Sequence, residues 1–287
     1  LLWELIPTVQ NGIIATKFGS KVGTEDAGFT AGDFSGFDTA GKREIYMSIC
    51  DQINIWYGGT EEDSTVRKML FLELCQSRHI RGSMLYEWEM SLPSGHPLTV
   101  YINSLYNLFA IRYCWWRAND NCFSALAEFD KYVYFIVYGD DSNGAVSAVV
   151  REVFNEYTIQ VYMAELGLTY TSDTKDSFAT KHRKIQNITF LKRSFIFNKL
   201  EMIFVAPLNL EVVLYVPQWT KKGFMAHQIT CDSVDTALRE LALHGKCVFD
   251  KWAPVIINAS YEHLNYYPKC TDFYTLYDLV RNLEFFL

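Results

Sequence analysis

The sequence predicts an α+β fold in two lobes, and three observations carry that expectation. Tyr132 to Tyr138 run aromatic and β-branched without a break, which suits a strand buried on both faces. Elsewhere apolar residues recur at helical spacing, as at Ile45, Ile49 and Ile53. From Pro207 onward the texture changes to loops and then helices, so a boundary is placed between residues 197 and 206. A chain of 287 residues is long enough to bury a large core in each lobe.

The strand at 132–138 ends in Gly139-Asp140-Asp141, followed by the turn formers Ser142, Asn143 and Gly144. Two adjacent carboxylates at a buried strand tip are costly without a neutralising cation, and hard divalent ions with oxygen ligands fit best. Ser142-Asn143-Gly144 is a poor strand opening, so the return strand is expected to be short. Upstream, Phe29 to Phe34 forms a second candidate strand bearing Asp33, with a turn at Ser35-Gly36. Should the two strands be neighbours, Asp33, Asp140 and Asp141 converge at one edge. That set suits two Mg²⁺ ions about 3.5–4 Å apart, acting on the attacking and leaving oxygens of a phosphoryl transfer. Lys175, on the polar loop after the strand expected at Leu168–Thr171, would be placed to protonate a leaving group.

The intervening elements follow from caps and periodicity. Thr39 is expected to cap a helix running to Tyr57, where Gly58-Gly59 stops it. A second helix fits Ser64 to Ser77 through Val66, Met69, Leu70 and Leu74, and Ile80 to Leu92 reads as a hairpin. Ser94-Gly95 followed by Pro97 opens a helix whose buried stripe is expected at Leu98, Ile102, Leu105, Phe109 and Tyr113. Thr99 and Asn103 lie one turn apart and form a polar cluster with Ser94. With Asp38 these groups can hydrogen-bond a ribose 2′-OH; read as structure alone, they cap a core helix. Val150 to Gly167 reads as a helix through Val153, Tyr157 and Val161. Asn187 to Phe197 reads as a hairpin, and Ser233–His244 and Lys246–Asn258 as helices.

Composition excludes several classes. Hydrophobic residues make up 49% and charged residues 21%, outside the disordered regime. No apolar run is long enough to span a bilayer, and Leu1-Leu2-Trp3 meets Glu4 at once, unlike a signal peptide. The seven cysteines are scattered without a C-x-x-C pair, which predicts reduced thiols and no zinc site. The net charge of −7 argues against nucleic-acid binding by bulk electrostatics. Lys181, Arg183, Lys184, Lys192 and Arg193 form a local basic cluster, and Lys221-Lys222 a second; taken alone, both read as solvated faces.

A Gly-Asp-Asp triplet by itself arises by chance in about one chain of this length in twenty, so specificity lies in the ordered set. Asp33-Phe-Ser-Gly-Phe-Asp38, Ser94-Gly-x₃-Thr99-x₃-Asn103-Ser104, Tyr138-Gly-Asp-Asp141, Gly167-Leu-Thr-Tyr-Thr-x₃-Lys175 and Phe190-Leu-Lys-Arg193 resemble, in order, palm motifs A to E of viral RNA-dependent RNA polymerases. The likeness covers roughly residues 28 to 260 and is strongest to the picornavirus-like group. Ala206-Pro-Leu-Asn-Leu-Glu, Trp219-Thr-Lys-Lys-Gly and Leu243-His-Gly-Lys resemble the dicistrovirus and iflavirus enzymes.

The resemblance implies a right-hand polymerase: an antiparallel palm sheet backed by helices, with fingers insertions and a mostly helical thumb. Residues 1–32 would be a partial fingers lead-in, 33–200 the palm with a fingers insertion at about 58–93, and 201–287 the thumb. Asp33 and Asp140 would carry Mg²⁺, or Mn²⁺ in its place, with Asp141 a lesser ligand. Asp38 and Asn103, helped by Ser94, Gly95 and Thr99, would select ribonucleotides. Lys175 would be the general acid, and Phe190, Leu191, Lys192 and Arg193 would hold the primer end.

Implied partners are RNA template and primer, NTPs, a viral protein primer and other replicase proteins, and not DNA. The implied location is the host-cell cytoplasm, at membrane-associated replication complexes. Nothing before residue 33 matches the Arg/Lys-rich motif F, and Phe285-Phe286-Leu287 is an apolar end. With Leu1 in place of an initiator Met, the chain is expected to be either processed or a fragment of something longer. A reverse transcriptase would place a bulky aromatic residue where Asp38 stands. A non-catalytic RNA-binding or scaffold role would leave the three aspartates without a purpose.

Overall fold

The structure is a computed structural model, and it describes residues 27–89, 91–173, 181, 183–199, 201–220 and 222–281. These fall into two compact units that part between Lys184 and Ile185.

In the first unit four strands pair antiparallel in the order β4-β5-β1-β6. They are β1 (Gly28–Ser35), β4 (Val133–Tyr138), β5 (Asp141–Val146) and β6 (Thr169–Ser172). Strand β1 is central, and its sequence shows why. Gly32 leaves room for the Tyr170 ring, which a Cβ there would meet at 1.9 Å. Gly144 of β5 makes the same room for Phe135 of β4, at 2.4 Å. Level residues on antiparallel neighbours share a face, so Phe34, Tyr170, Phe135 and Val146 all enter one core.

Helices cover that face: α1 (Arg43–Tyr57), α2 (Glu61–Cys75), α3 (Thr99–Ala118), α4 (Phe123–Tyr132) and α5 (Glu156–Glu165). Tyr46, Tyr106, Trp115, Phe129 and Phe154 fill the space between helices and sheet as an aromatic cluster with tilted and edge-to-face contacts. Between α2 and α3 a hairpin, β2 (Arg78–Arg81) and β3 (Met84–Glu87), stands exposed. A buried ion cluster ties the far edge: Arg183 bonds Asp173 at 2.6 Å and Glu156 at 3.4 Å, while Glu156 accepts from the Ala31 N–H at 2.9 Å.

The second unit opens with short pairings, β7 (Thr189–Phe190) with β8 (Arg193–Ser194) and β9 (Ile196–Asn198) with β10 (Ile203–Val205). Helices α6 (Leu210–Tyr215), α7 (Ala226–Ala242), α8 (Lys246–Leu264) and α9 (Phe273–Arg281) follow. Their core is Val213, Val234, Leu238, Leu241, Phe249 and Leu276. All seven cysteines are free, and among the described residues no helix is long and apolar enough to cross a membrane.

Several expectations need correction. β4 is an edge of the described sheet, with half-buried residues, rather than a strand buried on both faces. The return strand β5 is not short: it matches β4 residue for residue from Tyr138↔Asp141 to Val133↔Val146. Ladders on both sides and the space at Gly144 outweigh the weak strand propensity of Ser-Asn-Gly.

Thr39 lies in a 3₁₀ turn over Phe37–Thr39, and α1 starts only at Arg43. Pro97 falls in the turn before α3, which begins at Thr99, and α5 begins at Glu156, capped by Asn155, rather than near Val150. Of the stripe expected on α3, only Ile102 is buried. Leu98, Leu105 and Phe109 are exposed, and the helix buries Ile102, Asn103, Tyr106, Asn107, Ala110 and Cys114. Val66, Met69 and Leu70 of α2, and Tyr157 and Val161 of α5, are exposed as well. Nor are Arg183 and Arg193 part of solvated faces; Arg193 is buried and Arg183 largely so, each in an ion pair.

Candidate active site

Strands β4 and β5 are joined by the two-residue turn Gly139-Asp140. Gly139 sits at φ 66°, which a hairpin turn with glycine first requires, and so Asp140 stands at the tip. Asp141 opens β5 opposite Tyr138. The β1–β5 register runs to Gly32↔Ser142, so the next step brings Asp33 level with Asp141 on the same sheet face. On its other side Asp33 pairs with Thr171 of β6, and its Oδ1 accepts the Phe34 N–H at 2.9 Å.

Asp38 leaves β1 through the Gly36 turn (φ 66°). Its backbone oxygen accepts from the Leu92 N–H and the Ser91 hydroxyl, which pins it to the segment before α3. Its carboxylate takes Asn103 Nδ2 on one oxygen at 2.6 Å and Ser94 Oγ on the other at 3.1 Å. Of the polar cluster expected at Ser94, Thr99 and Asn103, Ser94 and Asn103 meet on the carboxylate of Asp38, which is remote in sequence. The Thr99 hydroxyl instead donates to Pro93 O at 2.8 Å, closing the loop in which Gly95 adopts φ 88°.

Burial and the carboxylates of Asp33 and Asp38, in that order of effect, push the Asp140 carboxyl above its ordinary value. Asp140 is nonetheless exposed at the turn tip, so one side is crowded by protein while the other meets solvent. Asp140 is near enough to Asp33 and Asp38 to be repelled by both, and a cation would relieve that repulsion. The donor set is all oxygen, which fits a hard divalent ion. Among the described residues no three acidic, histidine or cysteine side chains stand close enough to enclose one.

Two residues that spacing did not single out as site residues complete the arrangement. Ser104 Oγ accepts the Gly139 N–H at 2.8 Å, and Asn107 Nδ2 donates to Gly139 O and Asp140 O, each at 3.1 Å. The signal was present: polar residues at 103, 104 and 107 share one face of α3, and that face is buried. Assigning the burial stripe to Leu98, Leu105 and Phe109 hid it.

Phe190 to Arg193 lie in the second unit. Leu191 and Lys192 form a two-residue hairpin turn with both φ positive, 51° and 63°. Phe190 is buried and Lys192 exposed. Arg193 is buried, its guanidinium forked onto Glu240 at 2.7 and 2.9 Å with a further bond to Ala206 O. Lys175 lies outside the described residues.

The family model for viral RNA-dependent RNA polymerases matches residues 16–259. The chain belongs to that family. Among its relatives, the replicase polyprotein of Drosophila C virus is 32% identical over 253 residues, 84% of this chain and 14% of that one. The replicase polyprotein of acute bee paralysis virus is 32% identical over 239 residues, 80% of this chain and 12% of that one. The chain therefore spans about one seventh of these relatives' length. The fold is that of the right-hand polymerases: the Sicinivirus 3Dpol RNA-dependent RNA polymerase aligns with a TM-score of 0.73 at 16% identity, over 96% of this chain and 54% of that one. Divalent metal ions are general to this polymerase family, in keeping with the oxygen-only carboxylate set.

Proposed function

We propose that this chain carries the catalytic core for template-directed RNA synthesis in viral genome replication and transcription. An RNA 3′-oxygen bonds to the α-phosphorus of an NTP while the bond to the β-phosphate oxygen breaks, releasing pyrophosphate. The observation that carries this reading is the sheet register that sets Asp33 level with Asp141 beside the Gly139-Asp140 turn, with Asp38 held by Ser94 and Asn103.

In this reading Asp33 and Asp140 hold Mg²⁺, or Mn²⁺ in its place, and Asp141 assists from its position level with Asp33. Bound there, the ions would neutralise the triphosphate and activate the 3′-hydroxyl. Asp38 and Asn103 meet the ribose 2′-OH, which a deoxynucleotide lacks. Ser94 orients Asp38, while Thr99 and Gly95 shape the loop that carries Ser94. Lys175 would protonate the pyrophosphate. Phe190, Leu191 and the exposed Lys192 would contact the primer end, with Arg193 supporting that hairpin through Glu240.

Residues 33–200 would serve as palm, 58–93 as a fingers insertion, 1–32 as the fingers lead-in and 201–287 as thumb. The hairpin at 190–193 packs within the mainly helical unit that begins at Ile185. The expected partners are template and primer RNA, NTPs, a protein primer and other replicase proteins, in the host cytoplasm at membrane-bound complexes.

Primer extension on a homopolymeric RNA template tests this, with rNTPs and dNTPs offered in parallel to wild type and Asp140→Asn. The expected result is extension by wild type with rNTPs only, and none by the variant. Equal extension by both proteins would sink the metal assignment.

A further inference from the structure

The β4–β5 ladder ends at Tyr138↔Asp141, and beyond it three backbone groups of the turn that carries Asp140 take partners from α3. They are the Gly139 N–H, the Gly139 carbonyl and the Asp140 carbonyl. All three bond to α3 side chains: the N–H to Ser104 Oγ at 2.8 Å, and the carbonyls to Asn107 Nδ2 at 3.1 Å each. Asn107 has no exposed surface. Its Oδ1 has no hydrogen-bond partner, which fixes the amide's orientation, since a flipped amide would set oxygen against two carbonyl oxygens. Ser104 is oriented in turn, its hydroxyl donating to Val100 O at 2.6 Å.

One turn earlier on the same helix, Asn103 holds Asp38. A buried amide left half-satisfied in a core is costly, so a purely structural helix would do better with an apolar residue at position 107. The double donation to the turn is what that cost secures.

Resting on the polymerase reading, we infer that Asn107 and Ser104 are positioning residues that set where the Asp140 carboxylate stands for its metal ion. They touch neither metal nor nucleotide; they act through the turn backbone. Because Asn103 belongs to the same rigid helix, the distance between the ribose-sensing carboxylate and the metal-bearing turn is set by α3 and not by the two loops. Outer-shell partners of this kind change metal affinity about 10–100-fold when removed.

The test is Mn²⁺ titration by electron paramagnetic resonance on the protein without RNA or nucleotide, comparing wild type, Asn107→Leu, Ser104→Ala and Asp140→Asn. Leucine keeps the branched shape at 107, with a somewhat larger volume, and removes the donor. Near-UV circular dichroism establishes that each variant is folded. The expected result is Mn²⁺ affinity about tenfold weaker in Asn107→Leu, and weaker in Ser104→Ala, with a near-wild-type fold. High Mn²⁺ should then recover nucleotide incorporation, which a merely structural lesion would not allow.

Wild-type affinity in folded Asn107→Leu and Ser104→Ala, with affinity lost in Asp140→Asn, would overturn the positioning role alone. Were Asn107→Leu to unfold, Ser104→Ala decides by the same criterion. Unchanged affinity in Asp140→Asn would overturn the metal reading and this inference together.

Discussion

Asn103 donates its amide to Asp38 across 2.6 Å, joining residues 65 positions apart in the chain. A second bond from Ser94 takes the other carboxylate oxygen. The pair is half-exposed on the Asp38 side and buried on the Asn103 side, so the carboxylate is held from behind and presented outward.

Replacing Asn103 by Ala should free the Asp38 carboxylate to rotate while leaving the Gly139-Asp140 turn in place. Sites built to bond a hydroxyl discriminate strongly against analogues lacking it. The ratio of rNTP to dNTP incorporation is expected to fall roughly tenfold or more in Asn103→Ala. An unchanged ratio at reduced overall rate would show that the contact is structural only.

Gly32 is a site where one methyl group is decisive. A Cβ there would stand 1.9 Å from the buried Tyr170 ring, and the ring has Phe34 at its edge. Gly32→Ala should cost about 1–3 kcal/mol in chemical denaturation through overpacking. Because Asp33 is the next residue, incorporation should fall further than stability alone accounts for.

The Arg193–Glu240 pair should behave as a buried salt bridge does. Both side chains are under one-tenth exposed. Glu240→Ala leaves a buried guanidinium unpaired and should destabilise the second unit by about 3–5 kcal/mol. The double variant Arg193→Met, Glu240→Leu should recover most of that loss in equilibrium urea unfolding. Failure of the double variant to recover would mean that the bond to Ala206 O, not the ion pair, dominates.

His244 predicts an acid sensitivity. Burial, above all, lowers its pKa below the ordinary 6.5, against opposing effects from the Leu208 backbone and Glu240, and its Nε2 is buried without a partner. The unfolded chain takes up a proton as pH falls through about 6.5, whereas the folded chain does so only at lower pH. Its contribution to stability is therefore full above about pH 6.5 and declines below it, down to the folded pKa. Thermal unfolding between pH 7.5 and 5 should show this slope in wild type, reduced in His244→Phe.

Much of the site was legible in one dimension. A turn after Tyr138, the acid-bearing strands and the polar grouping of Ser94, Thr99 and Asn103 follow from local chemistry: turn residues, strand composition and one-turn spacing on a helix. Phase was less legible. Helices α2, α3 and α5 carry apolar residues all round, so periodicity alone chose the wrong stripe. The solvated reading of Arg183 and Arg193 failed because their acidic partners, Glu156 and Glu240, are remote in sequence.

Residue types and their order were sufficient for the class of fold, the acids at the strand ends and the one-turn pairing of Thr99 with Asn103, because each depends on neighbours within a few positions. Which face of α3 is buried, the length of β5, and the hold of Ser104 and Asn107 on the Asp140 turn were settled in three dimensions. Those features depend on partners 32 to 35 residues away and on space left at Gly32 and Gly144. Packing against a distant surface outweighs local propensity wherever a segment is apolar on every side or polar enough to be read as surface.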